Sequence, residues 1–348
     1  MGMAVSLPDA RQMIEQCLQA RVTPFLKGSP GCGKSSLIHQ IAEEYNLMVI
    51  DLRLATADPT DLNGFPDIDR QRRKAGYLPM DTFPVEGDEL PINPKTGKPY
   101  SGWLIFLDEL PLADKAVRKA AYKLILDRMV GQYHLHKRVA LVAAGNLDTD
   151  NADAGELDNT ALQSRMVHMT MKVDVDAWLD WARTHGIDHR ITSYINWRPD
   201  VLFKFNPDHD DETFACPRTW EFTSRLIKDK PVLNWLDRVL LSGTISEGVA
   251  REFCGYTEIQ NDLPDLKTIL TRPADVPVPT EPAVCWALSG KLGHEATENN
   301  IEQLMKFITR IPREFQMITM REILKRNHGM DRHDAVQPWL LDNAEEFF

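Results

Sequence analysis

The chain has 348 residues, of which 43% are hydrophobic and 26% charged. That is the balance of an ordinary globular protein with room for two or three domains. Its 51 acidic against 40 basic side chains give a formal charge of −11, which opposes tight binding along a nucleic-acid backbone unless a local basic patch overrides the average. No apolar run has the length a bilayer requires and no secretory leader pattern opens the chain, so no membrane association and a cytoplasmic location are expected.

Five cysteines, Cys17, Cys32, Cys216, Cys254 and Cys285, are odd in number and lack a C-x-x-C pair, so reduced thiols are expected rather than a disulfide framework or zinc ribbon. Residues 9 to 20 begin after Pro8 and place Met13, Ile14, Cys17 and Leu18 on one stripe, which predicts an amphipathic helix. Val22 to Leu26 is short, apolar and partly β-branched, which predicts a buried strand. Gly28-Ser29-Pro30-Gly31-Cys32-Gly33-Lys34-Ser35 then fits G-x-x-x-x-G-K-[ST], whose glycines let backbone N–H groups turn inward around phosphate oxygens. In that pattern Lys34 reaches the β- and γ-phosphates and Ser35 ligates Mg²⁺. Ser36 follows in the first turn of a helix carrying Leu37, Ile38, Ile41 and Ala42, whose positive dipole end faces the same anion. Leu47 to Leu52 reads as a second buried strand.

Residues 53 to 101 form a proline- and glycine-rich, weakly periodic excursion that contains the basic run Arg70-Gln71-Arg72-Arg73-Lys74. A loop of that length is usually functional or mobile. Trp103 to Leu107 is an apolar strand that ends in Asp108-Glu109. In a parallel sheet such a terminus faces the ligand, so Asp108 is expected to hold Mg²⁺ through water and Glu109 to orient the attacking water. A helix over 114 to 129, a small hairpin at Gly131 to Lys137 and a buried strand Val139 to Ala144 follow. Asn146, at that strand's tip, is either a γ-phosphate or water donor, or a turn asparagine. Asp158 to Met166 predicts a short helix ending at Arg165, and Val167 to Met171 a strand. Helices are predicted over 175–182, 187–197, 219–227, 232–241 and 246–256. Pro264, Pro273, Pro277, Pro279 and Pro282 mark a linker or extended crossing strand, and helices recur over 284–292, 301–311 and 314–326.

The ordered set Gly28–Ser35, Asp108-Glu109, Asn146, Arg165 and Arg218 resembles the AAA+ ATPases, and within them the MoxR group, over roughly residues 5 to 230. Asp58 to Pro66 resembles that group's stretch carrying a helix-2 insertion, and Leu126 to Tyr133 the start of its pre-sensor hairpin. Ala143-Ala144-Gly145-Asn146 is similar to sensor 1, Ala161 to Arg165 to the arginine-finger segment, and Cys216-Pro217-Arg218-Thr219 to sensor 2. The resemblance implies an α/β fold: an AAA+ P-loop NTPase core, a parallel sheet between helices, at residues 1–172, with an insertion at about 56–100. An all-helical lid at 173–263 and a mostly helical extension at 264–348 would follow. It implies an ATPase using ATP and Mg²⁺ in a homo-hexameric ring, with Arg165 serving the neighbouring subunit's site and Arg218 its own. It also implies remodelling of a protein partner, one with a von Willebrand factor A domain being a candidate. The rival expectations are a nucleic-acid motor or loader gripping through Arg70, Arg72, Arg73 and Lys74, and a nucleotide-gated scaffold with little hydrolysis.

Overall fold

The computed structural model describes residues 3–71, 73–147, 150, 163–207, 211–261, 263–327 and 329–347. The chain divides into two compact units, Met1–Asp174 and Val175–Phe348.

The first unit is a three-layer α/β arrangement around six parallel strands in the order β1-β10-β2-β9-β6-β3. These are β1 (Ala4–Val5), β2 (Thr23–Lys27), β3 (Leu47–Arg53), β6 (Gly102–Asp108), β9 (Val139–Gly145) and β10 (Met166–Met171). Every residue of β6 is buried, which is why its sequence is a continuous apolar run rather than an alternating one. Its side chains divide with the pleat. Trp103, Ile105 and Leu107 join Leu141 and Ala143 of β9 against α4 (Lys115–Asp127). Leu104 and Phe106 join Val142 and Ala144 against α1 (Leu7–Gln19) and α2 (Lys34–Glu44).

Three readings of the first unit are corrected. Helix α1 starts at Leu7, not Asp9, because Ser6 Oγ accepts the Asp9 N–H at 3.3 Å; Pro8 then sits in the first turn, where its missing N–H costs nothing. Strand β3 is an edge strand bonded to β6 alone, so of its seven residues just Ile50 is buried. The excursion is not all loop: Asp58 and Asp61 box the start of α3 (Pro59–Asn63), and β4 (Phe65–Asp69) pairs antiparallel with β5 (Lys74–Leu78). The hairpin carries Arg70, Arg73 and Lys74 toward its tip, with Phe65, Ile68, Tyr77 and Leu78 exposed. Arg72 lies outside the described residues, as do 158–162. Strands β7 (Met129–Val130) and β8 (Tyr133–His134) form the smaller hairpin.

The second unit is helical. Tyr194, Trp220, Phe253 and Tyr256 form its aromatic core, with ring centroids 5.2 to 5.9 Å apart. Helix Pro282–Glu295 crosses His189–Trp197 closely at Gly290, where a Cβ would stand 2.6 Å from Ser193 Cβ. The proline-rich stretch includes a short helix, Leu266–Thr271, so it is not extended throughout. Among the described residues no helix is long and apolar enough to cross a membrane.

Candidate functional site

Three neighbouring strands deliver the candidate residues. In register, Lys27 of β2 faces Gly145 of β9, and Ala143 of β9 faces Leu107 of β6. The segments leaving β2, β9 and β6 therefore start nearly level at one edge of the sheet, the carboxyl end, where open parallel sheets gather ligands.

The loop after β2 is shaped by its glycines. Gly31 and Gly33 have φ of 75° and 100°, values that side chains with a Cβ rarely adopt. Gly33 also caps α2 without a side-chain acceptor, so the first-turn N–H groups of α2 face the loop. The loop is tied to β9 by Gly28 N–H donating to Gly145 O at 3.2 Å. Lys34, 8% exposed, curls back over it. Its Nζ donates to Gly28 O at 2.6 Å, Ser29 O at 3.1 Å and Asn146 Oδ1 at 3.0 Å. An ammonium only donates, so this contact orients the Asn146 amide and leaves its NH₂ group to donate elsewhere.

The acidic side of the site lies at the end of β6. Ser35 Oγ donates to Asp108 Oδ2 at 3.2 Å, and Asp108 Oδ1 accepts the Glu109 N–H at 2.9 Å. Asp108 is buried, whereas Glu109 is partly exposed. Glu109 has φ 57°, a left-handed conformation a non-glycine residue keeps only when its surroundings impose it. The turn Leu110–Leu112 imposes it, Leu112 N–H donating to Glu109 O at 3.0 Å. A residue missed from sequence, Gly145, holds that turn against β9: a Cβ there would lie 2.5 Å from Pro111 Cδ. The Gly before Asn146 and the Pro two residues after Glu109 were its available signals.

The donor set suits a polyphosphate and a hard divalent cation. A glycine cradle, an uncapped helix start and Lys34 face the anion, while the oxygens of Ser35 and Asp108 match what Mg²⁺ accepts. Ser36 is exposed, with Gln40 Nε2 3.5 Å from its Oγ.

One expected site residue, Arg165, is not brought here within the described chain. Arg165 immediately precedes β10, whose Met166 pairs with Thr23 at the start of β2. It therefore stands at the opposite end of the strands, about 16 Å of strand away from the level of Lys27. It is exposed, its guanidinium 5.9 Å from the Tyr122 ring centroid. Arg218 belongs to the second unit, exposed in the first turn of helix Pro217–Ile227.

No protein-family profile and no curated protein matches the chain. Among solved structures, it is similar to NtrX from Brucella abortus in complex with ATP, at 13% identity and TM-score 0.37, covering 99% of this chain and 69% of that one. It is also similar to the Thermotoga maritima RuvB Holliday junction branch migration motor, at 16% identity and TM-score 0.36, covering 82% and 81%. At such values the likeness carries no argument, and the site is read from its own residues.

Proposed function

We propose that the chain is a Mg²⁺-dependent AAA+ ATPase of the MoxR type, hydrolysing ATP at subunit interfaces of a ring to remodel a protein partner. The observation that carries the nucleotide reading is the convergence of Lys34, Ser35, Asp108 and Asn146 from three adjacent strand ends.

The chemistry asked of these residues is positioning and charge compensation. In the overall reaction water oxygen bonds to the γ-phosphorus, the bridge to the β-phosphate breaks, and ADP and phosphate leave. Gly28 to Ser36 would hold the phosphates, with Lys34 neutralising negative charge. Ser35 and Asp108 would hold Mg²⁺, which when bound supplies further charge neutralisation. Glu109, beside Asp108 in its constrained backbone conformation, would orient the water and take up its proton. Asn146, fixed by Lys34, would donate from its amide to the γ-phosphate or the water. The placement of Arg165 away from its own chain's site supports a role in a neighbour's, where arginine fingers are worth roughly 10³ to 10⁵ in rate. Arg218 is proposed to reach the nucleotide from the helical unit. The hexameric ring and a partner with a von Willebrand factor A domain rest on the sequence resemblance.

Nucleotide binding and steady-state phosphate release test this reading together. Glu109→Gln retains ATP binding and loses turnover; unaltered turnover removes Glu109 from the mechanism. Arg165→Ala and Lys34→Ala are each inactive, and mixing them under subunit exchange restores part of the activity. No recovery in a mixture shown to exchange subunits refutes the action of Arg165 in trans.

A further inference from the structure

A second cavity of about 170 Å³ lies at the other edge of the same sheet, where β2 and β9 begin. It is separated from the phosphate loop by the whole length of β2, about 16 Å. Arg21, Arg128, Lys137 and Arg138 line it together with Val22, Thr23 and Leu141, and none of its lining residues is acidic. Among the described residues no carboxylate pairs with any of the four cations.

The fold holds these cations together rather than letting them spread. Arg21 follows α1 and Arg128 follows α4, both in left-handed backbone conformations with φ of 57° and 52°. Cys17 O accepts the Val22 N–H at 2.9 Å, and Arg128 O accepts the Leu135 N–H at 2.8 Å, so both turns are fixed. The Arg128 guanidinium donates to Val139 O. Burial, and next the charge of Arg21, hold Arg128 below the ordinary arginine pKa.

The bland account is that Arg21 and Arg128 complement the negative ends of α1 and α4. Each helix end supplies about half a charge, so the two offset roughly one of four positive charges. The remaining excess borders a space with room for about five or six waters at ~30 Å³ each, enough for a phosphate-sized anion. A phosphate group carries about −1.5 to −2 charge and three strong acceptor oxygens, and guanidinium groups match its geometry.

We propose that this cavity is a second, non-catalytic phosphate-binding site. Its ligand is a phosphate group, either free inorganic phosphate or a backbone phosphate of single-stranded nucleic acid. The inference stands on the basic edge alone and does not depend on the ATPase reading.

The test uses Lys34→Ala protein, in which the phosphate loop has lost its ammonium. Inorganic phosphate, against chloride at equal ionic strength, raises the melting temperature of this protein. Adding Arg21→Gln and Lys137→Gln, both exposed in the native chain, weakens apparent phosphate affinity at least tenfold. Phosphate protection that is absent, or that survives both substitutions unchanged, overturns the free-phosphate form. A fluorescent single strand of about 20 nucleotides is the second probe. If it binds, and the same two substitutions flatten the slope of log K against log salt by about 1.4, the phosphate is that of a nucleic-acid backbone. Phosphate protection without oligonucleotide binding assigns free phosphate, and failure of both probes refutes the site.

Discussion

Replacing Gly145 by alanine adds one methyl group at the point where the acidic and amide sides of the site meet. That carbon would lie 2.5 Å from Cδ and 2.6 Å from Cγ of Pro111, and 3.4 Å from Cζ of Phe25. A proline ring cannot rotate out of the way, and Phe25 is fully buried, so the Leu110–Leu112 turn or the end of β9 has to shift. Overpacking of this kind costs about 1–3 kcal/mol. At roughly 2–4 °C per kcal/mol for a unit of this size, the melting temperature falls by about 2 to 12 °C. The same shift separates Glu109, just before the turn, from Asn146, just after Gly145; misplacement near 1 Å in a reacting geometry costs on the order of 10² in rate. Thermal unfolding by circular dichroism and steady-state phosphate release measure the two effects. A variant that melts within about a degree of the parent and turns over normally would refute the claim that Gly145 sets this contact.

Asp108→Asn keeps the size of the side chain but removes the carboxylate facing Ser35, so Mg²⁺ should lose its enhancement of nucleotide binding. A Mg²⁺ titration that matches the parent's rules out Asp108 as a ligand. In the helical unit, Arg183 and Glu322 are paired with side-chain exposures of 5% and 4%. Glu322→Ala removes the buried carboxylate on Arg183, leaving it the more exposed Asp180 at 2.8 Å, and should cost up to about 3–5 kcal/mol in denaturant unfolding, with Glu322→Gln costing less; equal stability of all three proteins rejects the pairing as stabilising. His189, stacked on His294 at 4.8 Å, has its pKa pushed down to about 4, chiefly by burial. The folded chain then keeps the imidazole neutral where the unfolded chain binds a proton. Stability is therefore full above about pH 6.5 and falls as pH drops from 6.5 to 4, by no more than about 3 kcal/mol. His189→Gln should flatten that part of the stability-against-pH curve, and an unchanged curve removes His189 as its source.

The central strands were legible because burial on both faces writes itself as a continuous apolar run, as in Trp103 to Leu107. The phosphate loop was legible because its glycine spacing has a specific mechanical purpose. Edge position was less so: Leu47 to Leu52 is apolar but for Asp51, and that it has one neighbour is a property of strand order. The hairpin in the excursion was hidden by prolines and glycines that mark its ends. Arg165 was singled out by position in the chain, but its place at the far end of the strands follows from the direction of β10, visible once Met166 is seen opposite Thr23. The basic cavity was illegible for a similar reason. Arg21, Arg128 and the adjacent pair Lys137-Arg138 belong to three separate turns, and the side-by-side pairing of β2 and β9 brings them to one place.

The register of β3 on β6 places Arg53, the last strand residue before the excursion, directly opposite Asp108. Seven paired positions, Leu47 to Arg53 against Gly102 to Asp108, join the two strands. A pull on the exposed hairpin along the strand direction loads this ladder in shear, so its bonds share the force instead of opening one at a time. A pull perpendicular to the sheet starts peeling at Arg53, and the first contacts it strains are those beside the carboxylate. The fold thus makes the neighbourhood of Asp108 sensitive to the direction of a load on the hairpin, and stiff to one applied along the strands.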